Sequence, residues 1–359
     1  MSNPLRFTIL GCGAIARKHI AALERLDGAE LVGVCDIDQQ AAERLGQETS
    51  RPSFTDPRQM IAQTGAEVLS VLTPSGLHAR NVLDLIDTGV HFVVEKPLAL
   101  RLDMADEIIR GCAERNKKLF VVQQNRLNPP IQALKRALDE GRFGKLVLGA
   151  VRVRWCRTQE YYEAKPWRGT WALDGGVATN QASHHIDMLE WLLGQVESVM
   201  AMTETRLAKI EAEDTAVALF RFTCGALGVV EATTATRPSD LEGSLSILGE
   251  KGSVEVGGFF MNQLKTWQFA EQRPEDETIF ETHGANPDLF AWNHTEYLRD
   301  VIKAIQTGGK GLVEGLEGRR SLELITAIYE SAETEQEVHL RFRPRRARLG
   351  LGGNERQDR

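Results

Sequence analysis

The sequence of 359 residues has no paired-cysteine motif, no apolar run long enough to cross a bilayer and no excess of positive charge. Its five cysteines, Cys12, Cys35, Cys112, Cys156 and Cys224, form no C-x-x-C pair and match no histidine spacing. That excludes a zinc site or a disulfide framework as the organising device and leaves small buried thiols; no metal is expected. Lys plus Arg number 43 against 50 Asp plus Glu, a net charge of −7, so a general surface for nucleic acid or anionic lipid is excluded. Any anionic ligand must then be met by local basic groups. From "MSNPL" the chain runs directly into the strand-like "RFTIL", without a basic segment followed by an apolar one, and no later span reaches membrane thickness. The expected location is the cytoplasm. No internal repeat is visible.

What is present is a change of rhythm near "NPP" at 128–130. Before it, short apolar runs ("RFTIL", "LVGVCD", "AEVLSVLT", "HFVV", "LFVV") alternate with amphipathic segments at 14–26, 39–46, 77–88 and 102–115. Parallel strands need helical crossovers of about a dozen residues, so this half reads as α/β and doubly wound. After a helix at 130–140 come longer runs in which apolar and polar residues alternate between Gly-containing turns. They predict an α+β domain with a large, mostly antiparallel sheet, one face of it covered. Two late helices, about 288–307 and 316–332, and a strand "EVHLRF" complete it. The expected domains are 1–125, 126–345 and a loose tail at 346–359.

"FTILGCGAIARKHI" supplies Gly11, Gly13 and Ala16, the G-x-G-x-x-A form of a dinucleotide fingerprint, between a strand and a helix. Gly11 makes the tight turn, Gly13 admits the pyrophosphate and Ala16 permits close helix-to-strand packing; Ala14 and Ile15 lie in the same loop. Asp36 closes the next strand, where a carboxylate accepts both ribose hydroxyls and repels a 2′-phosphate, and Ile37 follows in place of an arginine, so NAD is expected over NADP. Ligands of such a sheet gather at the carboxyl ends of its strands. Thr73, Pro74 and His78 in "LTPSGLH", Glu95 and Lys96 in "VEKP", and Gln124 are therefore expected around the cofactor, with Lys96 towards the nicotinamide and Pro97 fixing the turn. The alternative for Glu95 and Lys96 is a surface ion pair worth little.

"DGGVATNQASHHIDMLEWLLG" at 174–194 is the second constellation. It holds Asn180, Gln181, His184, His185 and Asp187, with His184 and Asp187 three apart on one helix face. A histidine can take a hydroxyl proton near neutral pH while a lysine ammonium stabilises the developing alkoxide. His184 and His185 point about 100° apart, so one of them faces the substrate and the other is structural; His184 is preferred.

"GCGAIA", "TPSGLH", "EKPLA", "QNRLNP", "WRGTW" and "DGGVATNQASHHID" together resemble the Gfo/Idh/MocA oxidoreductases, up to about residue 343. The resemblance implies a Rossmann domain, an open-faced sheet domain, a catalytic lysine at Lys96 and a catalytic histidine at His184. Asn180 stands where the family commonly has an aspartate, which removes a charge that would raise the basicity of the histidine and leaves open whether Asp187 orients it. "RWCRTQEYY", "PWRGTW" and "GLEGRRSLELITAIYES" are similar to the sugar-nucleotide 3-dehydrogenases that act on UDP-N-acetylglucosaminuronate in polysaccharide biosynthesis. That implies oxidation of the sugar C3 hydroxyl, reoxidation of a retained NADH by 2-oxoglutarate in some relatives, and a homo-oligomer, dimer or tetramer. For a diphosphate and a carboxylate the local donors are Arg126, Arg154, Arg157, Lys165 and Arg168, with Arg168 and Trp167 at the cofactor or substrate phosphates and Tyr161 along the sugar or uracil. The alternatives are an inositol or free-sugar dehydrogenase, or a non-catalytic NAD and sugar sensor.

Overall fold

The computed structural model describes residues 3–287 and 290–340 together with Leu349. The chain divides into two compact units, one of Met1–Gln124 with Asp288–Arg319 and one of Asn125–Pro287 with Arg320–Arg359.

In the first unit β1 (Leu5–Leu10), β2 (Ala29–Cys35), β3 (Ser53–Phe54), β4 (Val68–Val71), β5 (His91–Val94) and β6 (Leu119–Val121) form one sheet in the order β3-β2-β1-β4-β5-β6. All its pairings are parallel. β4 and β6 are buried throughout, as strands covered on both faces must be. The strand order reverses between β1 and β4, which sets the ligand crevice of such a sheet beside the turn after β1. β3 and the helix Pro57–Thr64 were not expected, because two strand residues are too few to show an alternation.

Both late helices were expected in the second domain; Gly315–Thr334 falls mostly in the second unit, whereas helix Trp292–Thr307 clusters with this one. Its buried Leu298, Val301 and Ile302 share one face, it packs on the helix Ala16–Leu23, and Tyr297 Oη donates to Val121 O at 2.6 Å. Further along, Val121 N donates to Val313 O at 3.0 Å, so this segment covers the edge of β6, where unpaired backbone groups would otherwise be exposed. An amphipathic pattern shows that a helix buries a face; it does not name the partner.

In the second unit β7 (Leu146–Arg154), β8 (Val196–Glu204), β9 (Thr215–Phe222), β10 (Leu227–Thr233), β11 (Glu242–Gly249), β12 (Gly252–Gly257), β13 (Gln263–Phe269) and β14 (Val338–His339) form a sheet in the order β13-β12-β11-β7-β10-β9-β8-β14. Only β7 and β10 pair in parallel. Helix Ser183–Leu193 covers one face, packing on β7 and β11. In β9 buried and exposed residues alternate strictly, and the outward set includes Val217 and Leu219, paired with the exposed Met202 and Met200 of β8. On this face Arg154 holds Glu231 through two hydrogen bonds of 2.6 and 2.8 Å, and Arg152 stands between Glu231 and Glu242. Arg154 is therefore part of a cross-strand ion-pair ladder, which corrects its placing among the ligand-binding arginines. The rest of the final strand, from 341, and the tail from Arg346 lie outside the described residues apart from Leu349. Among the described residues no helix is long and apolar enough to cross a membrane.

Candidate active site

Gly11 has φ +104, and a Cβ there would stand 2.7 Å from the Leu72 backbone, so the turn after β1 admits only glycine. A Cβ on Gly13 would meet nothing within 4 Å, and Gly13 and Ala14 are exposed, with Ile15 half-buried before the helix Ala16–Leu23. Ala16 itself is fully buried. Asp36 accepts from Cys12 N at 2.7 Å and Asp38 N at 2.9 Å. Its carboxylate is thus pinned beside the glycine turn, with acceptor sites left over. Thr73 and Pro74 are half-buried at the end of β4, and Gln124 is buried after β6.

At the end of β5, Lys96 is half-exposed between buried Glu95 and buried Pro97, and the Lys96–Pro97 bond is cis. His78 is 1% exposed, its ring nitrogens each 2.8 Å from a carbonyl, Pro97 O and Thr73 O. It ties the loop after β4 to the lysine turn, which corrects the expectation that it contacts the cofactor. Glu95 is buried with His19 and His294, and ligand-type atoms of the three lie within 4.8 Å of one another. Burial by itself raises the Glu95 carboxyl; the His19 hydrogen bond and the nearby His294 outweigh it and hold the group well below the ordinary carboxylate range.

In the second unit the two histidines separate clearly. His185 is 1% exposed and edge-on to Trp155 at 5.9 Å, and burial pushes its imidazole down to about 3. A ring held neutral and away from solvent corrects the candidacy of His185; His184, on the adjacent helical position, is half-exposed. Asp187 does not orient it. Its carboxylate takes Arg126 Nε at 2.8 Å, Arg126 Nη2 at 2.7 Å and the Ser321 hydroxyl. Arg126 is 3% exposed and lies over the Trp191 ring at 4.9 Å, which corrects its expected role as a substrate ligand. The Asn180 amide donates to Asp174, whose other oxygen accepts Gly169 N at 2.8 Å. A carboxylate thus stands behind Asn180 although the expected aspartate is absent.

Arg157, Tyr161, Arg168 and Gln181 do come together. The Tyr161 ring lies 4.0 Å from the Arg168 guanidinium and 5.4 Å from that of Arg157, and its hydroxyl is 3.5 Å from Gln181 Nε2. Arg168 Nη1 donates to Tyr161 O at 2.6 Å, the guanidinium lies 5.6 Å from the Trp167 ring, and its buried Nε has no partner among the described residues. Arg168, Lys165, Lys209 and Tyr162 line a cleft of ≈ 550 Å³.

Residues 5–123 match the family described as "Oxidoreductase family, NAD-binding Rossmann fold", and residues 135–340 match its C-terminal alpha/beta domain. The chain belongs to the Gfo/Idh/MocA oxidoreductase family. Among solved structures it is 42% identical to the WlbA dehydrogenase of Bordetella pertussis in complex with NADH and UDP-GlcNAcA, covering 95% of this chain and 99% of that one with a TM-score of 0.91. For the WlbA dehydrogenase of Chromobacterium violaceum, also with NADH and UDP-GlcNAcA, the values are 43%, 95%, 97% and 0.89. D-apiose dehydrogenase of Paraburkholderia graminis is 25% identical over 93% of this chain and 89% of its own length.

As a member of this family the chain is an NAD-dependent dehydrogenase. The open space over Gly13 and the pinned Asp36 fit the cofactor. Two buried residues of the second unit, Glu213 and Tyr329, escaped sequence reasoning, since neither belongs to a motif with a spacing rule. Glu213 Oε1 accepts from Ala178 N at 2.9 Å and Tyr329 Oη at 2.9 Å, and Tyr329 Oη also reaches Thr179 Oγ1 at 2.8 Å. A Cβ on Gly176 would stand 2.1 Å from Glu213 Oε2, so the loop leading to His184 lies directly on this carboxyl.

Burial pushes Glu213 up to about 7. In the unfolded chain a glutamate titrates near ~4.3, so between there and the folded value the folded state holds a proton that the unfolded state has lost. Stability is therefore expected to fall as pH rises through that window, by about 4 kcal/mol in all. Glu213→Gln keeps an acceptor for both donors and has no proton to lose. Urea unfolding at pH 5 and pH 8 should show a smaller pH loss in the variant; equal losses would refute the assignment.

Proposed function

We propose that the protein oxidises the C3 hydroxyl of a UDP-sugar, UDP-N-acetylglucosaminuronate, to the 3-keto form. The observation that carries this reading is the 42–43% identity over 95% of the chain to two dehydrogenases whose structures hold NADH and UDP-GlcNAcA. The cluster of Arg157, Arg168, Tyr161 and Gln181 supports it, because a diphosphate needs cationic donors and a uracil or sugar ring needs an aromatic face. Bound NAD would supply the acceptor for the C3 hydride. The chain's own part is to remove the hydroxyl proton, assigned to His184, and to steady the oxygen as it becomes negative, assigned to Lys96. Gly11, Gly13, Asp36 and Thr73 are assigned to the cofactor. The outward apolar residues of β8 and β9 suit burial by a second copy, which fits a dimer or tetramer.

The lower-identity relatives favour a second reading, a free-sugar or inositol dehydrogenase. The two are separated by mixing stoichiometric enzyme with NAD and, in parallel, UDP-N-acetylglucosaminuronate, UDP-N-acetylglucosamine, D-apiose or myo-inositol, and following reduced nicotinamide by absorbance. High enzyme concentration detects even a cofactor that is never released, and adding 2-oxoglutarate then shows whether it is reoxidised in place. A signal with D-apiose or myo-inositol and none with either UDP-sugar would overturn the proposal.

A further inference from the structure

The lysine turn rests on a buried carboxylate that has partners of its own. Glu95 Oε2 accepts the Lys96 backbone N–H at 3.1 Å, and Glu95 Oε1 takes His19 Nε2 at 3.0 Å, a hydrogen-bond separation. His294 Nε2 stands 3.9 Å from the same oxygen, beyond hydrogen-bonding reach, while its Nδ1 lies 3.1 Å from Asn293 Oδ1. The side chains of His19 and His294 are 0% and 2% exposed, and their rings meet edge-on at 5.5 Å. A carboxylate in such a place is costly unless its oxygens are satisfied, and a satisfied one has a single orientation. Neither histidine carries a role in the reaction described above.

We propose that His19 and His294 are positioning residues for Lys96. His19 holds Oε1 of Glu95 and His294 packs edge-on against the His19 ring, so that Oε2 anchors the backbone N–H of the lysine and fixes the direction its ammonium takes from the end of β5. His78, holding Pro97 O on the other side, leaves Lys96 as the one residue of the turn that reaches solvent. His19 lies on the helix that begins at the glycine turn, so the lysine is referenced to the element that meets the cofactor. His294 comes from the late helix, which gives that helix a reason to belong to the first unit.

The proposal rests on the reading of Lys96 as catalytic only for its kinetic consequence, so the test has a readout that needs no substrate. Lys96 in the full-length protein is labelled with a trace amine reagent and its rate is read by mass spectrometry. His19→Leu should change the rate at least ~3-fold, on the scale set by losing one charge-assisted hydrogen bond. His19→Gln, which keeps an N–H at the same reach, should restore it. With UDP-N-acetylglucosaminuronate, His19→Leu should lower kcat ~10- to 100-fold with little change in KM, the cost of a misdirected catalytic group. In a Lys96→Ala background the same change should have no further effect, which general unfolding would not produce. His294→Leu serves as the second probe should His19→Leu fail to fold. Unchanged labelling in folded His19→Leu or His294→Leu overturns the proposal, whatever the substrate proves to be. One equivalent of a tightly bound transition metal in the purified protein also overturns it, since Glu95 Oε1 would then be a ligand.

Discussion

Lys96→Ala is expected to lower kcat by ~10²-fold or more while leaving NAD affinity within a few-fold, the scale of losing one preorganised donor to a developing negative charge. Two observations and one physical argument support the size of the effect. The residue follows β5 by two positions, at the carboxyl edge where ligands of a doubly wound sheet gather. It is the half-exposed member of a turn whose neighbours on both sides are buried and tied down. An ammonium held at such a place costs nothing to reorient as the hydroxyl loses its proton, so its removal acts on the transition state more than on binding. Single-turnover formation of reduced nicotinamide, with NAD affinity from fluorescence quenching, separates the two quantities. Turnover near that of the unchanged protein would remove Lys96 from the mechanism.

Asp187→Ala is expected to destabilise the fold by ~3–5 kcal/mol, the cost of leaving a buried charge without its partner. Arg126 and Asp187 are 3% and 1% exposed, and the pair is bidentate. With Asp187 gone, the buried Arg126 guanidinium loses both hydrogen bonds to that carboxylate, and the Trp191 face is worth ~2 kcal/mol at most for a desolvated cation. The double change Arg126→Met with Asp187→Leu should recover most of the loss, because apolar groups of similar volume need no solvation. Urea denaturation of the three proteins tests this. A loss below ~1 kcal/mol in Asp187→Ala, the range of an exposed pair, would show that solvent reaches the arginine.

The contrast between these two basic residues shows where sequence reading stopped. Lys96 and Arg126 both follow strands of the first sheet, and in sequence both are cations at a ligand edge. One is left half-exposed by its turn. The other is buried by a carboxylate 61 positions away, a distance over which no local pattern operates. The same limit explains His78, whose Pro97 carbonyl partner comes within reach only when β4 and β5 pair. For His184 and His185, the angular offset on the helix said that one must turn inward, and only the packing of Trp155 decided which.

By itself the sequence determined the parallel and antiparallel halves, the glycine turn with its acidic partner, the family, and the lysine after β5, because each is written in spacings of a few residues. The tertiary structure decided which charges are neutralised internally, that the late helix joins the first unit, and that His19, Glu95 and His294 share one buried site. Those outcomes depend on burial and on long-range approach. Desolvation makes a carboxylate or an imidazole seek whichever partner the fold brings near, and that partner is defined only once the chain has closed.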